Sequence, residues 1–274
     1  MKEITIDVWT IVSELIRRVP GLLIDRDSFL NTAFSNKLNR KQLESLILEG
    51  NYRDIPIEIL DSVADTYISK TRLSTTSASF LAGLPSSLPA LPATVTADVT
   101  QSFAFYIRIA QQLAYIYGET TNFTSMKNED RMTKILLYIG TMFGIETASQ
   151  VLALVSRNAG EILSKKFGEV AVTKVLKGIP WKVAKTIAKL LGIKLTKEVA
   201  QKGIAKVLPI LGGIVSGALT YTTFGPMAKK LQTSLRSSIQ ATEEQVIEIY
   251  ETVSSESDEE IAASVNKSID KILS

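Results

Sequence analysis

From Val207 to Ala228, "VLPILGGIVSGALTYTTFGPMA", no side chain carries a charge; Lys206 precedes the run, and Lys229 and Lys230 follow it. A helix that is apolar all round has no face for water, so it belongs either in a membrane or at the centre of a core. A span needs about 20 such residues. Pro209 and Pro226 fall inside the run, and proline suits a helix's first turn but not its interior. Together they bracket a helix of about 16 residues, short for a bilayer. The expectation is a buried central hairpin, made with a second helix that starts at Pro226 and reaches about Val253. Gly213 and Gly217 stand four apart, with Gly212 beside them. That spacing lets helices approach closely.

Elsewhere, apolar residues recur at helical spacing and few segments alternate as strands do. Ile4, Val8, Ile11, Val12, Leu15 and Ile16 share one face of a helix that Pro20-Gly21 stops. Short helices are expected over 26–36 and 40–48. Asp25 would cap the first, Phe29 and Leu30 would enter the core, and Arg26 would pair locally. Pro56 suits the first turn of the next helix. "GLPSSLPALP" (Gly83–Pro92) reads as a linker. A long helix over 93–117 is then ended by Gly118. Further helices are expected over 128–139, 146–163, 167–177 and 180–191, from Thr196, and over 258–273 with Ser257 as N-cap. Tyr115 and Tyr117 are expected to pack, their hydroxyls reaching backbone or water. The fold class is all-α: a single compact bundle of about a dozen helices around a central apolar Gly-rich helix. One domain is expected over 1–274, its residues 236–274 an acidic helical tail.

The chain has no Cys and no His. Thiol nucleophiles, disulfides, Cys/His zinc sites and Ser-His-Asp triads are therefore excluded. Acid–base chemistry would fall to Asp, Glu, Lys or Tyr. Asp98, in the apolar setting "LPATVTADVTQ", must find hydrogen bonds or shift its pKa; no partner base is visible beside it. No P-loop or dinucleotide fingerprint occurs, and no cofactor or metal is expected. Glu3, Asp7 and Glu14 interrupt the start of the chain, so no signal peptide is expected and a cytoplasmic location is the default.

Net charge is +3, but it is unevenly spread. Between Arg157 and Lys206 twelve bases face three acids, a net +9; from Ala241 to Ser274 nine acids face two lysines, a net −7. A basic middle and an acidic tail imply an anionic partner or surfaces that complement each other. Within the basic part, "PWKVAKTIAKLLG" (Pro180–Gly192) sets Lys182, Lys185 and Lys189 on one helical face beside Trp181. That is the composition of an interfacial membrane helix, and also of a surface helix over an apolar core. Few aromatics interleave with these lysines and arginine is not enriched, which argues against nucleic acid.

Several stretches resemble the EcsC family of bacterial proteins. They are "LIDRDSFL" (Leu23–Leu30, with Asp25, Arg26 and Phe29), the segment Ser77–Gly118 that holds Asp98, Tyr117 and Gly118, "LLYIGTMFGIETA" (Leu136–Ala148), and Leu195–Leu231. The last carries Gly213, Gly217, Thr220, Tyr221 and Pro226 in a Ser-Gly-x-Leu-Thr-Tyr and Pro-Met-Ala run. The resemblance covers about 20–235. It departs in the first loop, where Gly83–Ser87 reads Gly-Leu-Pro-Ser-Ser against the family's frequent Gly-Leu-Pro-Gly-Gly. The resemblance implies a largely helical bacterial protein associated with an ABC-transporter operon, secretion and competence, and it supplies no reaction or catalytic residues. The expected role is a cytoplasmic or membrane-peripheral interaction or regulatory protein. Its expected partner is an anionic membrane surface or a membrane protein. The alternatives are a hydrolase-type enzyme using Asp, Glu, Lys or Tyr, and a membrane-inserting effector.

Overall fold

The computed structural model describes residues 7–74, 97–169, 178–192 and 217–273, with backbone alone for 74, 97–99, 217–223 and 271–273. Regular structure among them is all helical: α1 (Val8–Arg18), α2 (Arg26–Phe34), α3 (Arg40–Glu49), α4 (Ile57–Ser74), α5 (Ala97–Ile116), α6 (Asn128–Met142), α7 (Glu146–Leu154), α8 (Arg157–Phe167), α9 (178–192), α10 (Gly217–Gln240), α11 (Glu243–Ser255) and α12 (Asp258–Leu273). None of these helices is long and apolar enough to cross a membrane.

Local chemistry sets many of the boundaries. Asp7, Asp25, Asn39, Ser156 and Thr242 each accept a first-turn N–H from the N-cap position. Ser257 does the same for α12, and Glu260 returns a bond to the Ser257 N–H, a capping box. Each such cap contributes about 1 kcal/mol. Gly118 closes α5 at φ +95°, a region that costs any residue with a side chain.

The centre is shared by α5 and α10. α5 touches α1, α2, α4 and α6, and α10 touches every helix from α4 to α8 as well as lying on α5. From Ile109 to Tyr117 every residue is buried, so this half of α5 shows no face to water. Tyr106 of α5 meets Phe143 edge-on and stacks on Phe224 of α10 with ring centroids 6.3 Å apart. Burying each such aromatic side chain contributes roughly 2–3 kcal/mol. α9 docks on α6 at Gly140, where a Cβ would fall 2.7 Å from Ile187 Cδ1. Buried apolar residues from Val8 through Ile269 form one cluster.

Several boundary expectations need correction. The helix expected over 146–163 is two helices. The chain breaks at Val155–Ser156, and the Ser156 hydroxyl oxygen takes the Ala159 N–H to start α8 afresh. Pro226 does not begin a helix, so no hairpin turns there; α10 runs straight through it. Pro226 is exposed. Nor does that helix reach Val253. It ends at Gln240, and Thr242 opens α11 with its own capping box. Gly217, Thr220 and Tyr221 lie on the first turns of α10. Of the helix expected over 167–177, Phe167 instead ends α8 at Gly168, and the rest from residue 170, like residues 207–216 (with Gly213), the linker over 83–92 and the helix expected from Thr196, lies outside the described residues.

Candidate functional site

α9 is amphipathic. Val183, Ala184, Ile187, Ala188 and Leu191 are buried, while Lys182, Lys185 and Lys189 are exposed. At its start, Trp181 meets Trp9 of α1 edge-to-face, centroids 5.1 Å apart and planes at 86°. The Lys185 ammonium lies 3.9 Å from the Trp9 ring centroid and 4.7 Å from that of Trp181. At an exposed site each such cation–π contact is worth about 0.5–1 kcal/mol. Lys182 donates to Asp258 Oδ1 at 2.8 Å, at the first residue of α12. The side chains are 55% and 70% exposed, so the pair adds under about 1 kcal/mol. Both tryptophans of the chain thus meet on one lysine-bearing ridge.

Sequence reasoning singled out Trp181, Lys182, Lys185 and Lys189 but passed over Trp9 and Asp258. Trp9 sits one residue inside an ordinary amphipathic helix, and nothing in its neighbours marks it. Asp258 carried a signal in hindsight: it leads an acidic first turn, and that turn complements a basic helix. Among the described residues the ridge holds no nucleophile bonded to a base. Its chemistry is recognition, through positive charge beside aromatic rings.

Asp25, Arg26, Phe29, Tyr115 and Tyr117, also singled out in the sequence, tie helices and loops together. Asp25 caps α2 through the Ser28 N–H and reaches the Asn122 amide at 2.7 Å. The Ser28 N–H, then the Ser28 hydroxyl and Asn122, hold its carboxyl below the usual range. Arg26 is 5% exposed. It does pair with neighbouring Asp27 at 3.0 Å, but its guanidinium also donates to the carbonyls of Leu46, Ile47 and Glu119 at 2.8–3.0 Å. It thereby satisfies the free carbonyl end of α3 and fastens the loop after α5. Phe29 packs edge-on against Tyr67. Tyr115 donates to the Ile24 carbonyl, a backbone partner of the kind expected.

Tyr117 differs: it donates to Asp61 Oδ1 at 2.6 Å and accepts from Gln232 at 3.2 Å. Arg236 holds the other Asp61 oxygen, and Gln232 also bonds Asp65. Burial, reinforced by the Asp61 carboxylate, pushes the Tyr117 hydroxyl up. This network clips α4, α5 and α10 together, and only the chain's folding brings its members near each other. Asp98 lies on α5, its side chain outside the described residues. Among the described residues no group of three or more acidic side chains is placed to hold a metal ion.

Compared with models of known protein families, with curated proteins and with solved structures, the chain gives no match.

Proposed function

We propose that the chain is an EcsC-like interaction or regulatory protein that works at the cytoplasmic face of a membrane, touching anionic lipid headgroups through the α1–α9 ridge. The observation that carries the reading is the convergence of Trp9 and Trp181 with exposed Lys182, Lys185 and Lys189. Tryptophan prefers the headgroup level of a bilayer. Each lysine close to an anionic leaflet contributes about 1 kcal/mol. Three lysines give reversible attachment, suited to a protein that comes and goes from a membrane complex.

Because the two tryptophans are both in the ridge, tryptophan emission, excited selectively over the tyrosines, reports this surface. Titration with phosphatidylglycerol vesicles at low salt should shift the emission to shorter wavelength and carry the protein into the pellet. Phosphatidylcholine vesicles should do neither, and salt should reverse the effect. An unchanged spectrum together with an empty pellet at low salt would refute the reading.

A further inference from the structure

Away from that ridge, a cavity of about 200 Å³ opens between the end of α5, the loop that follows it, α6, the start of α8 and α10. Its lining joins Glu119, Lys134 and Tyr138 in one chain of contacts. Lys134 pairs with Glu119 Oε2, and the Tyr138 hydroxyl lies 3.5 Å from the same oxygen. The pair is mostly removed from water: the Glu119 side chain is 12% exposed and that of Lys134 23%. Burying an ion pair carries a desolvation cost that apolar packing would avoid, so the pair is a poor device for merely holding a loop.

The balance of donors and acceptors says what would fit. Glu119 has most of its acceptor capacity taken, with Oε1 accepting the Thr121 N–H and Oε2 accepting from Lys134 and Tyr138. Lys134 has three N–H groups and gives one of them to Glu119. At the rim, Arg157 uses Nε on Glu161 and Nη1 on the Glu49 and Gly50 carbonyls, and its Nη2 has no acceptor among the described residues. Tyr52, 4% exposed, lines the same space, its buried hydroxyl beside the Arg53 side chain. Donors exceed acceptors and the lining is net positive, while Leu152 and Leu235 supply an apolar wall.

We infer that this cavity binds a small organic anion, a carboxylate or phosphate ester with a short apolar body, its charge held by Lys134. The site is independent of the lipid-facing ridge, and either can fail without the other. Calorimetric titration of the full chain with benzoate, phenyl phosphate and neutral benzyl alcohol tests it and tells the two anion chemistries apart. At least one anion should bind saturably and the alcohol should not. The paired variant Lys134→Met, Glu119→Gln, which leaves no lone buried charge, should weaken the anion about tenfold or more. Should that variant not melt cooperatively, methyl NMR of the unaltered protein decides: anion-induced shifts confined to Leu152, Leu235 and their neighbours support the site. Absence of binding by either anion up to about 10 mM, equal affinity in a folded paired variant, equal binding of the alcohol, or shifts elsewhere would overturn it.

Discussion

Arg26 and Lys185 are both cations with close partners, yet they sit in opposite kinds of surroundings. Arg26 is buried at the α2–α3–α5 junction, and its guanidinium meets three carbonyls and a carboxylate at hydrogen-bond distance. Lys185 is exposed on the α1–α9 ridge and rests on two indole rings. A buried charge persists only when its hydrogen bonds are met inside the protein, and the Arg26 junction uses four of the five guanidinium N–H groups on protein acceptors. The ridge keeps water and salt as alternatives, so its lysines can exchange them for another anion at little cost. Burial with four protein acceptors marks structure at Arg26, and exposure with partial partnering marks a surface open to binding at Lys185.

That contrast is breakable, first where the effect is largest. Arg26→Met should destabilise the chain by about 3 kcal/mol, since three carbonyls lose a buried donor. Thermal melting would read it as a drop of roughly 10 °C; a change near zero would mean the junction is not structural. Gly118→Ala should cost about 2 kcal/mol, because φ is +95° and the new Cβ would fall 2.5 Å from the Tyr52 ring. Denaturant unfolding checks that value.

Asp25→Ala should cost about 1 kcal/mol through the lost cap, and pH sharpens this case. The folded carboxyl titrates below its unfolded value, so its stabilisation is complete above the ordinary Asp range, near pH 4. It is lost as pH falls through the depressed folded value. The gap between Asp25→Ala and the parent chain should therefore stay constant from neutral pH to about pH 5 and narrow below about pH 4. A gap that widened on acidification would reverse the assignment. At the small end for stability, Lys189→Gln should shift unfolding by under about 0.5 kcal/mol. Its vesicle affinity should nonetheless fall about fivefold, one lysine's share near an anionic leaflet. Equal affinity would place the lipid contact elsewhere than on this face.

Local signals in the sequence located most helices well. Asp25, Pro56 and Ser257 marked starts, and Gly118 marked an end, because a cap or a left-handed turn is a property of a few adjacent residues. The signals misled where one residue admits two outcomes. Pro226 reads as a start, but an exposed proline is tolerated inside a helix that its neighbours hold by packing. Ser156 reads as helix interior within 146–163, yet it is the N-cap that divides α7 from α8. The lysine face of α9 was legible from spacing alone. Its second tryptophan was not, because Trp9 arrives from the far end of the chain.

All-helical architecture, the place of most caps, the exclusion of thiol and imidazole chemistry and the split of basic middle from acidic tail were determined by the sequence itself. Each depends on residue type or on spacings within one helix. The tertiary structure alone decided that Arg26 would close the end of α3, that Tyr117 would find Asp61, Gln232 and Arg236, and that Glu119, Lys134 and Tyr138 would line one cavity. These groups come from separate helices and loops. A polar side chain's partner is set by where packing of the apolar faces leaves it, and hydrophobic burial, being non-directional, does not encode that position in any local pattern.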